Sequence, residues 1–321
     1  MRSGVISLGE ALIDFIPLDK QNNHYQKSPG GAPANVAVGI SRLGLKSTFL
    51  GKVGDDVLGK FLYETLENHH VRVNQMVFTS EHKTGVVFVT NAEDGERSFD
   101  FYINPSADRF LESKEIDKED FVTHKIFHFG SISMISDSSK EATKYGVELA
   151  KKNNMIVSYD PNLRLDLWDS EKTARETIKS MINFADILKI SEEELTFITG
   201  EKEIVRGIEV MKSYDIPLLI VTMGALGSYV CTSDGYEHVP ALKVDAVDTT
   251  GAGDAFVSGI LYSINEYDGD IRTLSLEKAV EMARFASISG ALAASTKGAM
   301  TALPTLEQIK MLLAKVGGNV E

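Results

Sequence analysis

A chain of 321 residues, 43% of them hydrophobic, is long enough to bury a sizeable core in one large α/β unit or in two domains. Its formal net charge of −13 argues against nucleic-acid and anionic-membrane partners, and any phosphate site on it needs local positive compensation. A single cysteine, Cys231, excludes an intrachain disulfide framework, fits a reducing cytoplasmic setting, and lies in a strand-like run as a small buried hydrophobe does.

The first strand is VISLG (5–9). Glu10 and Asp14 interrupt the apolar N-terminal run and no small-residue cleavage site follows, so it reads as a strand rather than a signal peptide. No apolar stretch reaches the ~18 residues of a membrane span. Residues 10–29 are irregular or strand-like. ANVAVGISRLG (34–44) has helical spacing and stops at Gly44, STFLGKV (47–53) is a strand, and DDVLGKFLYETLENH is a helix. GVVFVTN (85–91) and RSFDFYI (97–103) are joined by AEDGE, a hairpin-like turn with Gly95. Segments of about 10–33 and 84–112 therefore predict a small antiparallel appendage, suited to cover a cleft as a lid. After Asp120 the strands 126–133, 155–160, 187–191, 218–224 and 227–233 alternate with helices, the pattern of βαβ units around a buried parallel sheet. No repeat, low-complexity tract or linker interrupts the chain, so 1–321 reads as a single α/β domain.

VDAVDTTGAGDAF (244–256) passes from strand-like to helix-like at its glycines. Ala252, Ala255, Phe256, Ile260 and Ile264 form the helical stripe. Gly251, Ala252 and Gly253 would make the first turn, where backbone N–H groups lack an intrahelical partner and small side chains let an anion approach. That is the compensation an acidic protein needs. Asp254 could simply complement the helix dipole. Beside a phosphate cradle, however, a carboxylate suits phosphoryl transfer, with the amides stabilising charge while the acid takes a proton from the attacking hydroxyl. Other phosphate and catalytic motifs are absent: GLKST (44–48) has the wrong spacing for a P-loop, GAGDAF ends in Phe256 rather than glycine, and no H-E-x-x-H, C-x-x-C or G-x-S-x-G occurs.

DTTGAGDAF resembles the C-terminal signature of the ribokinase-like (PfkB) sugar kinases, and GGAPANVAVGISRLG (30–44) is similar to their other signature. The resemblance covers essentially the whole chain, including GEALIDF (9–15), GKVGDDVLG (51–59), YDPNLRLDLW (159–168) and VTMGALGS (221–228). INPSADRFL (103–111), FHFGSISMI (127–135) and KGAMTALPT (297–305) look like fructokinases in particular. The resemblance implies a three-layer α/β/α fold with a mostly parallel central sheet and a β lid. It also implies transfer of phosphate from ATP to a sugar, with Mg²⁺ and K⁺ as cofactors, and fructose as the sugar. Asp254 would be the base, with the Gly251, Ala252 and Gly253 amides as the anion hole. Asp14, Gly31 and Asn35 match the family's sugar site, beside Gly30, whose lack of a side chain also allows backbone to approach a ligand. Arg164, after a strand end, would face the substrate, with a surface salt bridge as the competing reading. Arg97, Phe99 and Phe101 would point from the lid to the sugar, or merely pack.

On the ATP side the resemblance implies Lys189, Glu194, Thr222, Gly224, Gly227 and Ser287. The family's Asn-x-x-Glu, which organises Mg²⁺, appears here as Ser191-Glu-Glu-Glu194, and an expected asparagine near adenine is Ser287. Asp248 and Thr250 match two ligands of a monovalent-cation site. An apolar lid face leaves room for a homodimer. Kinases for ribose, 2-keto-3-deoxygluconate or an aminoimidazole riboside are the nearest alternatives. A non-catalytic sugar-binding protein conflicts with the retained Asp254, and an NAD-dependent oxidoreductase with the missing G-x-G-x-x-G after the first strand.

Overall fold

The computed structural model describes residues 2–91 and 97–317; the expected turn at 92–96 with Gly95, and the side chain of Arg97, lie outside the described residues. In chain order the strands are β1 Val5–Leu8, β2 Leu12–Pro17, β3 Tyr25–Gly30, β4 Ser47–Gly54, β5 Arg72–Thr79, β6 Gly85–Asn91, β7 Arg97–Phe101, β8 Ile126–Phe129, β9 Ile156–Tyr159, β10 Ile187–Ser191, β11 Leu218–Thr222, β12 Ser228–Thr232 and β13 Gly235–Val239. Among the described residues they form two sheets. The larger has nine strands in the order β13-β12-β11-β10-β9-β8-β1-β4-β5. Every pair from β11 through β5 is parallel, and β12 and β13 add an antiparallel edge.

Alternation along the strands builds the layers. Leu218 and Ile220 pack with Val36, Ile40, Phe256 and Ile260, from helices Ala32–Arg42 and Ala252–Glu266, on one face. Leu219 and Val221 pack with Val147, Ile178 and Ile208, from helices Asp137–Lys152, Glu171–Ile182 and Ile204–Met211, on the other. This is the three-layer α/β/α arrangement. Among the described residues no helix is long and apolar enough to cross a membrane.

The smaller sheet has the order β3-β2-β6-β7. It departs from the antiparallel appendage expected from sequence, because β2 and β6 run parallel while β2–β3 and β6–β7 are antiparallel. The chain leaves this sheet after β3 to build β4 and β5 of the large one, and it returns in the direction of β2. The expected strand 126–133 is also shorter: β8 ends at Phe129 and a 3₁₀ turn at Ile132–Met134 follows.

Candidate active site

The chain leaves β1 for β4 on one side and β8 through β11 fill the other, so strand order reverses between β1 and β8. Open α/β sheets gather ligands at such a point, outside the carboxyl ends of the strands. A cleft of about 400 Å³ lies there. Glu10 follows β1, Ile132 follows β8, Asp160, Asn162 and Arg164 follow β9, and Lys189 sits on β10; all line it. Its opposite wall is the small sheet, through Leu12, Asp14, Val87, Phe99 and Phe101. Asp14 pairs with Val87 and Val87 with Phe101, so one transverse row of the sheet presents a carboxylate, a branched side chain and a ring to the cleft. Ile13 and Phe15, between the cleft-facing positions of β2, pack into the opposite core.

The helix Ala252–Glu266 points its N-terminus into the cleft. Gly251 is its N-cap rather than its first residue, with φ of 80°, the left-handed region where glycine carries no steric cost. Ala252 N–H turns back to Thr249 O (3.2 Å), a contact a phosphate oxygen would have to share or displace. Asp254 lies in the first turn, and its Oδ2 accepts from Asn35 Nδ2 at 2.7 Å. Burial pushes its carboxyl up to about 6; the Asn35 hydrogen bond opposes this, Asp160 adds to it, and Lys189 and Arg164 draw it back. Asn35 is buried on the helix Ala32–Arg42, and its Oδ1 has no protein partner.

Asp14 stands at about 7, raised by burial and then by Asp254, and lowered by Arg164. Gly30 is required beside it, since a Cβ there would meet Asp14 Oδ2 at 2.1 Å. Arg164 is exposed, donates to Leu163 O (3.0 Å) and lines the cleft, close enough to act on both Asp14 and Asp254. Lys189 pairs with Asp160 at 3.1 Å. Its ammonium would be lowered by burial, but Asp160, Glu194 and Asp254 outweigh this and hold it above its ordinary value. Lys189 Nζ is the nearest atom, at 3.9 Å, to a Cβ built on Gly253, so a cation stands against the glycine-rich helix start.

The nucleotide-side residues are less gathered. Glu194 is turned inward: Oε1 accepts from Leu163 N (2.7 Å) and Oε2 from Ser191 N (2.8 Å), while Ser191 Oγ caps the helix Glu192–Thr199 by accepting from Glu194 N (3.1 Å). Thr222, opposite Ser191 in register, and Gly224, Gly227 and Ser287 lie outside the cleft lining. A Cβ on Gly227 would stand 2.1 Å from Val239 O, so strand packing alone requires that glycine. Asp248 is buried, accepting from Thr250 N (3.0 Å) and Gly298 N (3.2 Å) just behind the helix start. Hard oxygen donors of this kind suit a monovalent cation. Among the described residues no group of three or more His, Cys, Asp or Glu could hold a metal ion.

Among the cleft residues that escaped the sequence reading are two acids. Asp160 follows β9 directly, and the strand-end rule that singled out Arg164 applied to it equally. Glu10 stands two residues past β1 and is buried, which a lone acid in a turn does not announce.

A model of the pfkB family of carbohydrate kinases matches residues 2–306. The chain is 45% identical over 319 residues to probable fructokinase-6, chloroplastic, of Arabidopsis thaliana, spanning 97% of this chain and 82% of that one. Fructokinase with bound ATP from Xylella fastidiosa superposes with a TM-score of 0.92 at 34% identity, over 99% of this chain and 100% of that one. A double-mutant fructokinase from Vibrio cholerae O395, in its fructose-, ADP- and potassium-bound form, superposes at 0.89 with 38% identity, over 98% and 99%. With the family model matching residues 2–306, nearly the whole of the chain, on a fold and cleft of this kind, the chain belongs to the pfkB family of carbohydrate kinases.

Proposed function

We propose that this protein is an ATP-dependent fructokinase, transferring the γ-phosphoryl group of ATP to the 6-hydroxyl of D-fructose and releasing D-fructose 6-phosphate and ADP. The observation that carries the reading is Asp254: a carboxyl in the first turn of a glycine-headed helix, tied to Asn35 and facing across one cleft toward Asp14. Fructose lies against the small sheet, which acts as a lid. Asp14 accepts sugar hydroxyls, Arg164 meets the far end of the sugar, and Phe99 and Phe101 cover its carbon face and exclude water. Asp254, raised to about 6, is deprotonated near neutrality yet a stronger base than an ordinary aspartate. It takes the proton of the 6-hydroxyl as that oxygen attacks the γ-phosphorus in line. Charge on the transferring group is held by the helix N-terminal amides at Gly251–Gly253 and by the Lys189 ammonium.

Mg²⁺ would supply positive charge to neutralise the phosphates of ATP, and Glu194 would serve it only indirectly, by fixing the Leu163 and Ser191 backbone. Asp248 and Thr250 would hold a potassium ion, which supplies positive charge behind the anion-hole loop. Cys231, the single cysteine and a buried one, is in keeping with a reducing, cytoplasmic compartment.

The test has two arms. In a coupled ADP-release assay across fructose, ribose, 2-keto-3-deoxygluconate and aminoimidazole riboside, kcat/KM is greatest for fructose; a stronger response to another sugar reassigns the substrate. Asp254→Asn lowers kcat by about 10² to 10⁴ with the fold intact, the range for loss of a general base. Near-normal turnover in that variant refutes the role given to Asp254.

A further inference from the structure

At the cleft wall the chain crosses itself at Glu10. This residue is 4% exposed, and its Oε1 accepts from Ala32 N at 3.2 Å. Ala32 opens the helix Ala32–Arg42, whose N-cap is Gly31, a residue with no side chain to offer. Glu10 therefore provides from another segment the acceptor that the cap position lacks. The two backbones touch here as well: a Cβ on Gly31 would stand 2.4 Å from Glu10 O, and Gly31 has φ of 102°. One turn into this helix is Asn35, whose backbone N–H donates to Gly31 O (2.8 Å) and whose side chain donates to Asp254.

We infer that Glu10 is a positioning residue for phosphoryl transfer: its side chain caps the helix that carries Asn35, and so sets where Asn35 holds Asp254. The inference rests on the reading of Asp254 as the base. In this role Glu10 acts through Ala32 and Asn35. Burial pushes its carboxyl up to about 8, opposed by its own and the Ala32 backbone N–H and reinforced by Asp108 and Asp254. His128, from β8, and Asp160, after β9, line the same narrow space beside it. At neutral pH Glu10 is thus a neutral acceptor, and glutamine is its faithful replacement.

The test compares Glu10→Gln, which keeps an acceptor oxygen, with Glu10→Met, which fills similar volume without a comparable one. We expect Glu10→Met to lower kcat by about 10- to 100-fold, the scale of a small misplacement of reacting groups, with KM for ATP unchanged. It also moves the acid limb of the kcat–pH profile upward, because the Asn35 donation that restrains Asp254 is loosened. Glu10→Gln turns over near the wild-type rate with the wild-type limb. Wild-type kcat and acid limb in Glu10→Met overturn the inference, as does a Glu10→Gln variant as impaired as Glu10→Met. If Glu10→Met fails to fold, Glu10→Leu takes its place in the comparison, and a large loss in Glu10→Gln removes the role. Asp254→Asn measured alongside keeps the two readings apart. Near-normal turnover there removes the base itself, whereas an inactive Asp254→Asn beside a normal Glu10→Met removes only the role of Glu10.

Discussion

Asn35 and Asp254 stand 219 residues apart in sequence and 2.7 Å apart in space, the amide donating to the carboxylate. The contact is one force holding the Asp254 carboxyl near 6 against the burial that raises it. The base acts when deprotonated, so activity is lost as pH falls through that value. Removing the donor in Asn35→Ala takes a charge-assisted hydrogen bond from the ionised form, worth roughly 1.5–3 kcal/mol. The acid limb of kcat should therefore move up by about one to two pH units, since one unit corresponds to about 1.4 kcal/mol. A kcat profile from pH 5 to 9 checks this, and an unmoved limb would mean that the amide does nothing for the base.

Asp14 predicts a conflict between function and stability. Its carboxyl is raised from 3.8 to about 7, chiefly by burial. The native state therefore holds that proton more tightly than the unfolded chain does, and stability from this group falls as pH rises between those values and then levels off. Asp14→Asn, which cannot ionise, should melt higher than wild type at pH 8, by about 1–3 °C or more. The gap should close as pH falls toward 4. The same variant should bind fructose poorly at every pH. A gap in melting temperature that is identical at pH 5 and pH 8 would dismiss ionisation of Asp14 as its cause.

Much of this was legible because the large sheet and its helices keep clean periods. Leu218 to Val221 alternate between two cores, and the run from Ala252 to Ile264 keeps one face. β5 was missed because Arg72, Asn74 and Gln75 break its apolar pattern. They do so to hold Asp120, which accepts from Arg72 Nη1 (3.0 Å), Asn74 Nδ2 (2.9 Å) and Gln75 Nε2 (2.8 Å), so buried polar satisfaction hides the strand. The helix Glu192–Thr199 carried its own signal, the capping box of Ser191 and Glu194, which a comparison with an asparagine motif obscured. In the site, the residue types at Asp14, Asn35, Arg164 and Asp254 were readable one by one. Their convergence was not, because it depends on strand order reversing between β1 and β8. Glu10 became visible only when the crossing with Gly31 was seen.

Gly30 gives a substitution whose effect is confined to the sugar. A Cβ there would stand 2.1 Å from Asp14 Oδ2 and 3.3 Å from Leu12 Cδ1. Gly30 does not have the positive φ of Gly31, so alanine is compatible with its backbone and the clash falls on the carboxylate. Gly30→Ala should displace Asp14, raising KM for fructose by about tenfold or more, the effect of one lost charged hydrogen bond. KM for ATP should be unchanged. Steady-state kinetics with each substrate varied in turn will show this, and equal rises in both constants would point to general distortion instead.

Glu194 separates an architectural role from a metal role. Its two carboxylate oxygens take the backbone amides of Leu163 and Ser191, so it ties the loop bearing Arg164 to the start of the helix Glu192–Thr199. Glu194→Ala leaves two donors without that acceptor, at about 1–3 kcal/mol each where they stay buried. The melting temperature should fall by about 5 °C, and KM for fructose should rise because Arg164 follows Leu163 directly. Ser191→Asn is the control: asparagine is as good a helix cap as serine, so it should melt within about 2 °C of wild type. Thermal melts of both variants, with Mg²⁺ titrated in the activity assay, distinguish the roles. A Glu194→Ala protein that melts like wild type and differs only in its Mg²⁺ requirement would show that the carboxylate serves the metal and not the loop.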